Sequence, residues 1–252
     1  MNFLAFDTST EVMSIAVGKT GDDAVQQWLH TATGGAKAST GLIAGVMDLL
    51  HQAGLALTDL DAIAFGAGPG SFTGLRTACS VAQGLAFGAD VPVLPIDTLL
   101  AVAEETRYTA CADANALRLT ALLDARMDEM YCATYDFADG VWAEVEGSHL
   151  VRPEVFAAER ATVAVADSGN VLAGNVFAVY GERLGTLLGI TALPTAAAML
   201  RLAPALMAAG KAVPADQALP SYIRDKVAKT TAERIAEKAA AMRLPPVASG
   251  AA

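Results

Sequence analysis

Residues 66–76, Gly-Ala-Gly-Pro-Gly-Ser-Phe-Thr-Gly-Leu-Arg, constrain this chain more than any other stretch. The apolar run Ala62-Ile63-Ala64-Phe65 before them reads as a buried strand, and Leu75 to Gly88 after them reads as a helix. Glycines at 66, 68, 70 and 74 permit positive φ and close approach by another surface, while Pro69 fixes one φ. The unit is therefore strand, glycine loop, helix. N–H groups at the helix start face a concave loop, which can hold an anion or simply close a tight crossover.

The pattern excludes several familiar sites. A Walker loop needs Gly-Lys-Ser/Thr where this helix opens with Gly74-Leu75-Arg76, and a dinucleotide fingerprint fails because Gly68-Pro69-Gly70-Ser71-Phe72-Thr73 ends in threonine. A nucleophile elbow needs glycines where Ser71 has Pro69 and Thr73. Ser71 or Thr73 is expected instead to be the helix N-cap.

Two helical surfaces stand out. Gly74, Ala78, Ala82 and Ala86 fall at steps of four and form a ridge with little bulk, beside a stripe of Phe72, Leu75, Cys79 and Gln83 edged by Arg76. That ridge fits either the chain's own sheet or a second protein. A helix from Thr40 to Ala53, stopped by Gly54, places Leu42, Ile43, Val46, Met47, Leu49, Leu50 and Ala53 on an apolar arc of roughly 160°, wider than one core-facing stripe requires. The surplus calls for a second surface, so the two helices are expected to form half of a helix–helix interface.

A net charge of −10 would repel a phosphate backbone, which argues against unaided nucleic-acid binding. Basic residues nevertheless outnumber acidic ones between Pro220 and Pro245, as expected of a solvated helix face. Cys79, Cys111 and Cys132 are far apart and form no Cys-x-x-Cys pair, so they read as core fillers. There is no long apolar run, and the opening Met1-Asn2-Phe3-Leu4-Ala5-Phe6-Asp7 lacks a basic n-region; a cytoplasmic chain is expected. His30, His51 and His149 are isolated, and no His-x-x-x-His ligand pair occurs.

In chain order, residues 2–7, 12–18 and 25–29 read as a three-stranded meander, with Asp7-Thr8-Ser9-Thr10-Glu11 at its first tip. Those side chains could orient a metal–phosphate group or satisfy turn N–H groups; residue types alone favour the turn. A strand at Val91–Pro95 and a helix at Ile96–Glu105, capped by Asp97 or Thr98, complete a first βββαβαβα unit, and Arg107 to Ala116 reads as a crossover. A second meander follows at 118–123, 130–137 and 141–146, its first turn being Asp124 to Glu129. Short strands near 163–166 and 171–173 and helices near 176–188 and 195–209 close the second unit. Thr231 to Arg243 reads as a further helix ahead of a flexible tail. The expected division is lobes at 1–106 and 107–224, with 225–252 separate.

Together, Asp7-Thr8-Ser9, Gly68-Pro69-Gly70-Ser71-Phe72-Thr73-Gly74-Leu75-Arg76, Asp124-Ala125-Arg126 and Pro220-x-Tyr222-x-Arg224 resemble the TsaB family, also called YeaZ, over roughly residues 1 to 224. The resemblance implies an α/β chain of two lobes with the actin-like ATPase (ASKHA) fold. It further implies a part in making threonylcarbamoyladenosine, beside the anticodon of transfer RNAs that read codons beginning with adenosine. In that family the chemistry belongs to a sibling, TsaD, which holds a metal and transfers the threonylcarbamoyl group, while the ATPase TsaE engages the pair. The expected role is thus a non-catalytic scaffold without a cofactor, meeting transfer RNA only through the complex and having no membrane association.

The expected partner surface comprises Leu42, Ile43, Val46, Met47, Leu50, Phe72, Gly74, Leu75, Arg76, Ala78, Cys79 and Ala82, and alone it would pair with a copy of itself. Asp7, Thr8, Ser9, Gly68, Gly70, Ser71, Thr73 and Asp124 would belong to vestigial phosphate or cleft loops. The first hairpin lacks the glycine with which actin-like phosphate loops approach a nucleotide, and Gly34 to Ser39 lacks the histidine often seen there in relatives. The rival reading is an enzyme: a phosphotransferase with Asp7 at a magnesium–phosphate site and Asp124 as second carboxylate, or a metallopeptidase, for which no residue set is apparent.

Overall fold

The computed structural model describes residues 1–20, 25–34, 38–163 and 169–224. The first half runs β1 (Asn2–Asp7), β2 (Val12–Thr20), β3 (Val25–Thr33), α1 (Ala38–Ala53), β4 (Ala62–Gly68), α2 (Phe72–Ala89), β5 (Val93–Asp97) and α3 (Thr98–Ala110). The second half repeats the series as β6 (Ala116–Asp124), β7 (Met130–Ala138), β8 (Val141–Val151), α4 (Pro153–Val163), β9 (Asn170–Gly174), α5 (Val176–Tyr180), β10 (Ile190–Thr191) and α6 (Ala196–Ala208). One five-stranded sheet has the order β3-β2-β1-β4-β5 and the other β8-β7-β6-β9-β10, with antiparallel meanders and parallel pairs in matching places. The duplication expected from the two meanders thus extends to every strand, as an actin-like two-lobed fold requires.

Alternation along β1 divides the first core. Leu4 and Phe6 pack with Leu42, Val46, Leu50, Ala78 and Ala82 of α1 and α2 on one face of the sheet. Phe3 and Ala5 pack on the other face against Ala196, Met199, Leu200 and Ala203, which belong to α6 from the far end of the second half. Reciprocally, Leu99, Val102 and Ala103 of α3 pack on Leu119, Ala121 and Tyr135 of the second sheet. The last helix of each half therefore covers the other half's sheet. Leu122, Met130, Phe156, Val176 and Tyr180 form the outer core of the second lobe.

Several boundaries differ from expectation. Asp97 accepts hydrogen bonds from the N–H of Leu99 (2.7 Å) and Leu100 (3.0 Å), which caps α3 as expected, but the helix runs on to Ala110 and leaves a shorter crossover. Val163, expected to begin a strand, closes α4, and the rest of that expected strand lies outside the described residues. The long helix expected over 176–188 is the five-residue α5 and a 3₁₀ turn, Gly181–Leu184, that ends at Gly185 with φ +64°. The expected helix at 231–243 lies outside the described residues.

Between the exchanged helices sits a buried ion cluster. Glu104, 3% exposed, accepts from Arg107 Nε and Nη2 (both 2.8 Å), Arg201 Nε (2.8 Å) and Trp142 Nε1 (3.0 Å). Arg201 also reaches Glu105 at 2.6 Å. Burial opposes ionisation of Glu104, but these hydrogen bonds and the Arg107 charge outweigh it and hold the carboxyl below the usual range. Glu104 therefore stabilises the fold above the ordinary glutamate pKa, and that contribution is lost as pH falls through its depressed value. Glu104→Ala, which strands the Arg107 guanidinium and leaves Arg201 only Glu105, is expected to cost about 3–5 kcal/mol in urea unfolding at neutral pH. A loss below about 1 kcal/mol would place the stabilisation elsewhere.

Candidate functional site: an interlobe cleft and an outer helical face

The two lobes enclose a cleft of about 670 Å3, lined by the tips of the β1–β2 and β6–β7 hairpins, the start of α2 and the segment 221–224. Of the expected cleft residues, Ser9, Gly70, Ser71 and Asp124 line it; Asp7, Thr8, Gly68 and Thr73 do not. The reason lies in how the first hairpin and the glycine loop close on one another. Thr8 Oγ1 donates to Gly74 O (2.7 Å), and a Cβ at Gly74 would lie 1.8 Å from Thr8 O. Ser71 N donates to Ser9 O at 2.7 Å. Ser71 stands at the N-cap position as expected, but its hydroxyl makes no capping bond, and α2 begins at Phe72 rather than Leu75.

Asp7 is fully buried beside Gly66, where a Cβ would meet its Oδ2 at 1.9 Å, and near Met199 of α6. Oδ1 accepts from Ser9 N (3.0 Å) and Ser9 Oγ (2.7 Å), while Oδ2 has no hydrogen-bond partner. Burial pushes the carboxyl up to about 7, against the two bonds from Ser9. Asp124 is satisfied by Tyr180 Oη (2.7 Å), Arg126 N (2.8 Å) and Arg126 Nη1 (3.2 Å). Across the mouth, Arg126 pairs with Glu11, joining the two hairpin tips.

Three features depart from an actin-like phosphate site: the Thr8 hydroxyl and the Ser71 N–H are bonded within the chain, Glu11 and Arg126 bridge the hairpin tips, and Asp7 is sealed beneath them. Among the described residues no group of three or more His, Cys, Asp or Glu could hold a metal ion.

The second hairpin carries the most unusual backbone. Arg126, Met127 and Asp128 have φ of +59°, +56° and +61°, a left-handed conformation that costs non-glycine residues roughly 1–2 kcal/mol each. Each is held from outside. Arg126 pairs with Glu11; Arg224 donates to Arg126 O (3.3 Å), Met127 Sδ (3.3 Å) and Glu129 (2.5 Å); Asp128 accepts from Arg183 (2.7 Å).

On the outer face, the expected interface divides. Leu42, Val46 and Leu50 of α1 and Ala78, Cys79 and Ala82 of α2 are buried in the core on their own sheet, while Gly74 is buried against the Thr8 carbonyl and Leu75 lines the cleft. All eight are corrected to buried positions. Ile43 (51%) and Met47 (48%) are exposed on α1, as are Phe72 (36%) and Arg76 on α2. Sequence reasoning missed a second small stripe on α2, Thr73, Thr77, Ser80 and Gly84, in which Thr77 is half-buried, the others are exposed, and nothing lies within 4 Å of a Cβ at Gly84. Its 4-3-4 spacing was the available signal.

A family model described as TsaD, tRNA N6-adenosine threonylcarbamoyltransferase, matches residues 24–239. The tRNA threonylcarbamoyladenosine biosynthesis protein TsaB of Escherichia coli K12 is 35% identical over 232 residues, covering 90% of this chain and 96% of that protein. The chain belongs to the TsaB family. TsaB of Haemophilus influenzae is 33% identical, covering 90% of this chain and 95% of its own length. The solved structure of YeaZ from Pseudomonas aeruginosa is 36% identical and superposes with a TM-score of 0.73 over 88% of this chain and 99% of that one. A structure described as an uncharacterized protein with similarity to peptidase YEAZ, also from Pseudomonas aeruginosa, gives 36% and 0.75.

For the buried Asp7 the folded chain keeps the proton to about pH 7, whereas an unfolded aspartate releases it near 3.9. Stability should then fall as pH rises between those values, by up to about 1.4 kcal/mol per unit. Asp7→Asn should remove that slope in urea unfolding measured from about pH 4.5 to 7; an unaltered slope would show that Asp7 is already ionised throughout.

Proposed function

We propose that this chain serves threonylcarbamoyladenosine biosynthesis as a non-catalytic subunit, holding a TsaD-class sibling on the exposed face of α1 and α2. A TsaE-class ATPase engages the pair, transfer RNA is met only through the assembly, and the isolated chain pairs through the same face with a second copy. The observation that carries the reading is the contrast between two surfaces. Asp7 is sealed away from the cleft and Glu11 and Arg126 bridge its mouth, while the outer face leaves Ile43 and Met47 exposed beside the low-relief stripe Thr73, Ser80 and Gly84, with Phe72 exposed where that face meets the cleft rim. A facing helix can approach such a stripe closely and cover the flanking apolar side chains. The fold agrees: its glycine loop and first hairpin seal Asp7 where an actin-like phosphotransferase would present a carboxylate.

Family membership supports the pathway, since relatives spanning nearly the whole chain are named threonylcarbamoyladenosine biosynthesis proteins. No helix among the described residues is long and apolar enough to cross a membrane. A phosphotransferase reading would need Asp7 reachable from the cleft, and a metallopeptidase reading would need a metal-ligand cluster that the described residues do not provide.

Gly84→Glu and Met47→Glu place carboxylates on this face without entering the core. Each is expected to weaken co-elution with a purified TsaD-class sibling at least about 100-fold in Kd, a loss of roughly 2.7 kcal/mol, with an unchanged melting temperature. Wild-type co-elution by both variants would move the interface elsewhere.

A further inference from the structure

We infer that residues Ala218 to Arg224 form a strap that couples the start of α2 to the β6–β7 hairpin, so that an occupant of the outer face alters closure of the cleft. Its partner half rests on the docking face proposed above; the coupling itself is a property of this chain alone.

The strap is tied at successive points to different bodies. Ala218 O accepts from Gln83 Nε2 (2.8 Å) and Cys79 Sγ (3.4 Å) on α2, and Ser221 N donates to Ala67 O (2.7 Å) at the end of β4. Gly68, with φ +126°, lets the strap lie flat there, because a Cβ would meet Ser221 O at 2.4 Å. Tyr222 then faces the first lobe: Arg76 Nε donates to its hydroxyl (3.0 Å), its ring lies 5.5 Å from that of Phe72, and Arg76 covers Phe72 at 3.8 Å. Two residues later Arg224 reaches the second lobe, where it binds Glu129, Met127 and the carbonyl of Arg126.

That hairpin is poised to change. Three consecutive non-glycine residues sit in the left-handed region, a conformation that persists only where surrounding contacts impose it. The contacts come from Glu11 across the cleft, Arg183 on the flank and Arg224 on the strap. Phe72, Arg76 and Tyr222 are all exposed, so a molecule covering α2 touches the clasp directly. Tightening or displacing Tyr222 shifts Arg224, and with it one of the three holders of the hairpin. Coupling of this kind is reciprocal, so a change in the hairpin also alters the clasp at Tyr222.

The test is amide hydrogen exchange of the full chain without a partner, comparing wild type, Tyr222→Ala, Arg224→Ala and the double variant. Tyr222→Ala should speed exchange at residues 125–130 by about tenfold, although the bond it loses is to Arg76 on α2, and the double variant should exchange there no faster than either single one. Faster exchange confined to α2 and the strap, or additive effects at 125–130, would overturn the coupling. Tyr222→Phe, which keeps the ring and loses only the bond from Arg76, should give a smaller change of the same sign; if Tyr222→Ala fails to fold, a wild-type profile for Tyr222→Phe with Arg224→Ala accelerated at 125–130 overturns it as well. Because no partner is present, loss of co-elution in the outer-face variants leaves this result untouched, and the reverse also holds.

Discussion

Four hydrogen bonds converge on the carboxylate of Glu104, and the two-lobed architecture depends on them. They join α3, which lies on the second sheet, to α6, which lies on the first, and to Trp142 at the edge of the second sheet. Each half completes its core with a helix from the other, so neither sheet is covered on both faces by its own half alone. An ion cluster at that crossing is costly to desolvate unless every lone pair is used. Here the carboxylate oxygens each accept two bonds, and both guanidinium groups also lie over aromatic rings, Arg107 on Phe137 and Arg201 on Tyr108.

With the lobes fixed in this way, the two hairpin tips face each other across a narrow mouth. The space an actin-like enzyme would give to phosphate is here filled by protein-to-protein bonds: Thr8 to Gly74, Ser71 to Ser9, Ser9 to Asp7, and Glu11 to Arg126. Glycines that elsewhere would admit a ligand instead admit another part of the same chain. On the outer surface of α1 and α2, Ile43 and Met47 are exposed beside the small residues Thr73, Ser80 and Gly84.

Much of this was legible in the sequence. Both meanders, the glycine loop ahead of α2, the Asp97 cap and the duplicated order follow from local alternation and turn chemistry. The exchange of α3 and α6 was not, because an amphipathic pattern shows that a helix is covered without showing by which sheet. The interface residues failed for a related reason. An apolar arc of seven residues on α1 and an alanine ridge on α2 look alike whether they face a core or a partner; the structure turns Val46 and Ala78 inward and leaves Ile43 and Met47 outside. Asp7 accepts from the turn N–H of Ser9, as its residue type suggested, but it does not reach the cleft where it was also expected, and its burial beside Gly66 and near Met199 involves residues far away in sequence. The left-handed run at Arg126 to Asp128 has no glycine to announce it.

The central claim is that this chain acts through its outer helical face and not through cleft chemistry. The most direct measurement is threonylcarbamoyl transfer to transfer RNA by purified TsaD-class and TsaE-class proteins, supplied in turn with the wild-type chain, Asp7→Asn or Gly84→Glu. The account predicts near wild-type modification with Asp7→Asn and almost none with Gly84→Glu. Full modification with Gly84→Glu and loss with Asp7→Asn would contradict it.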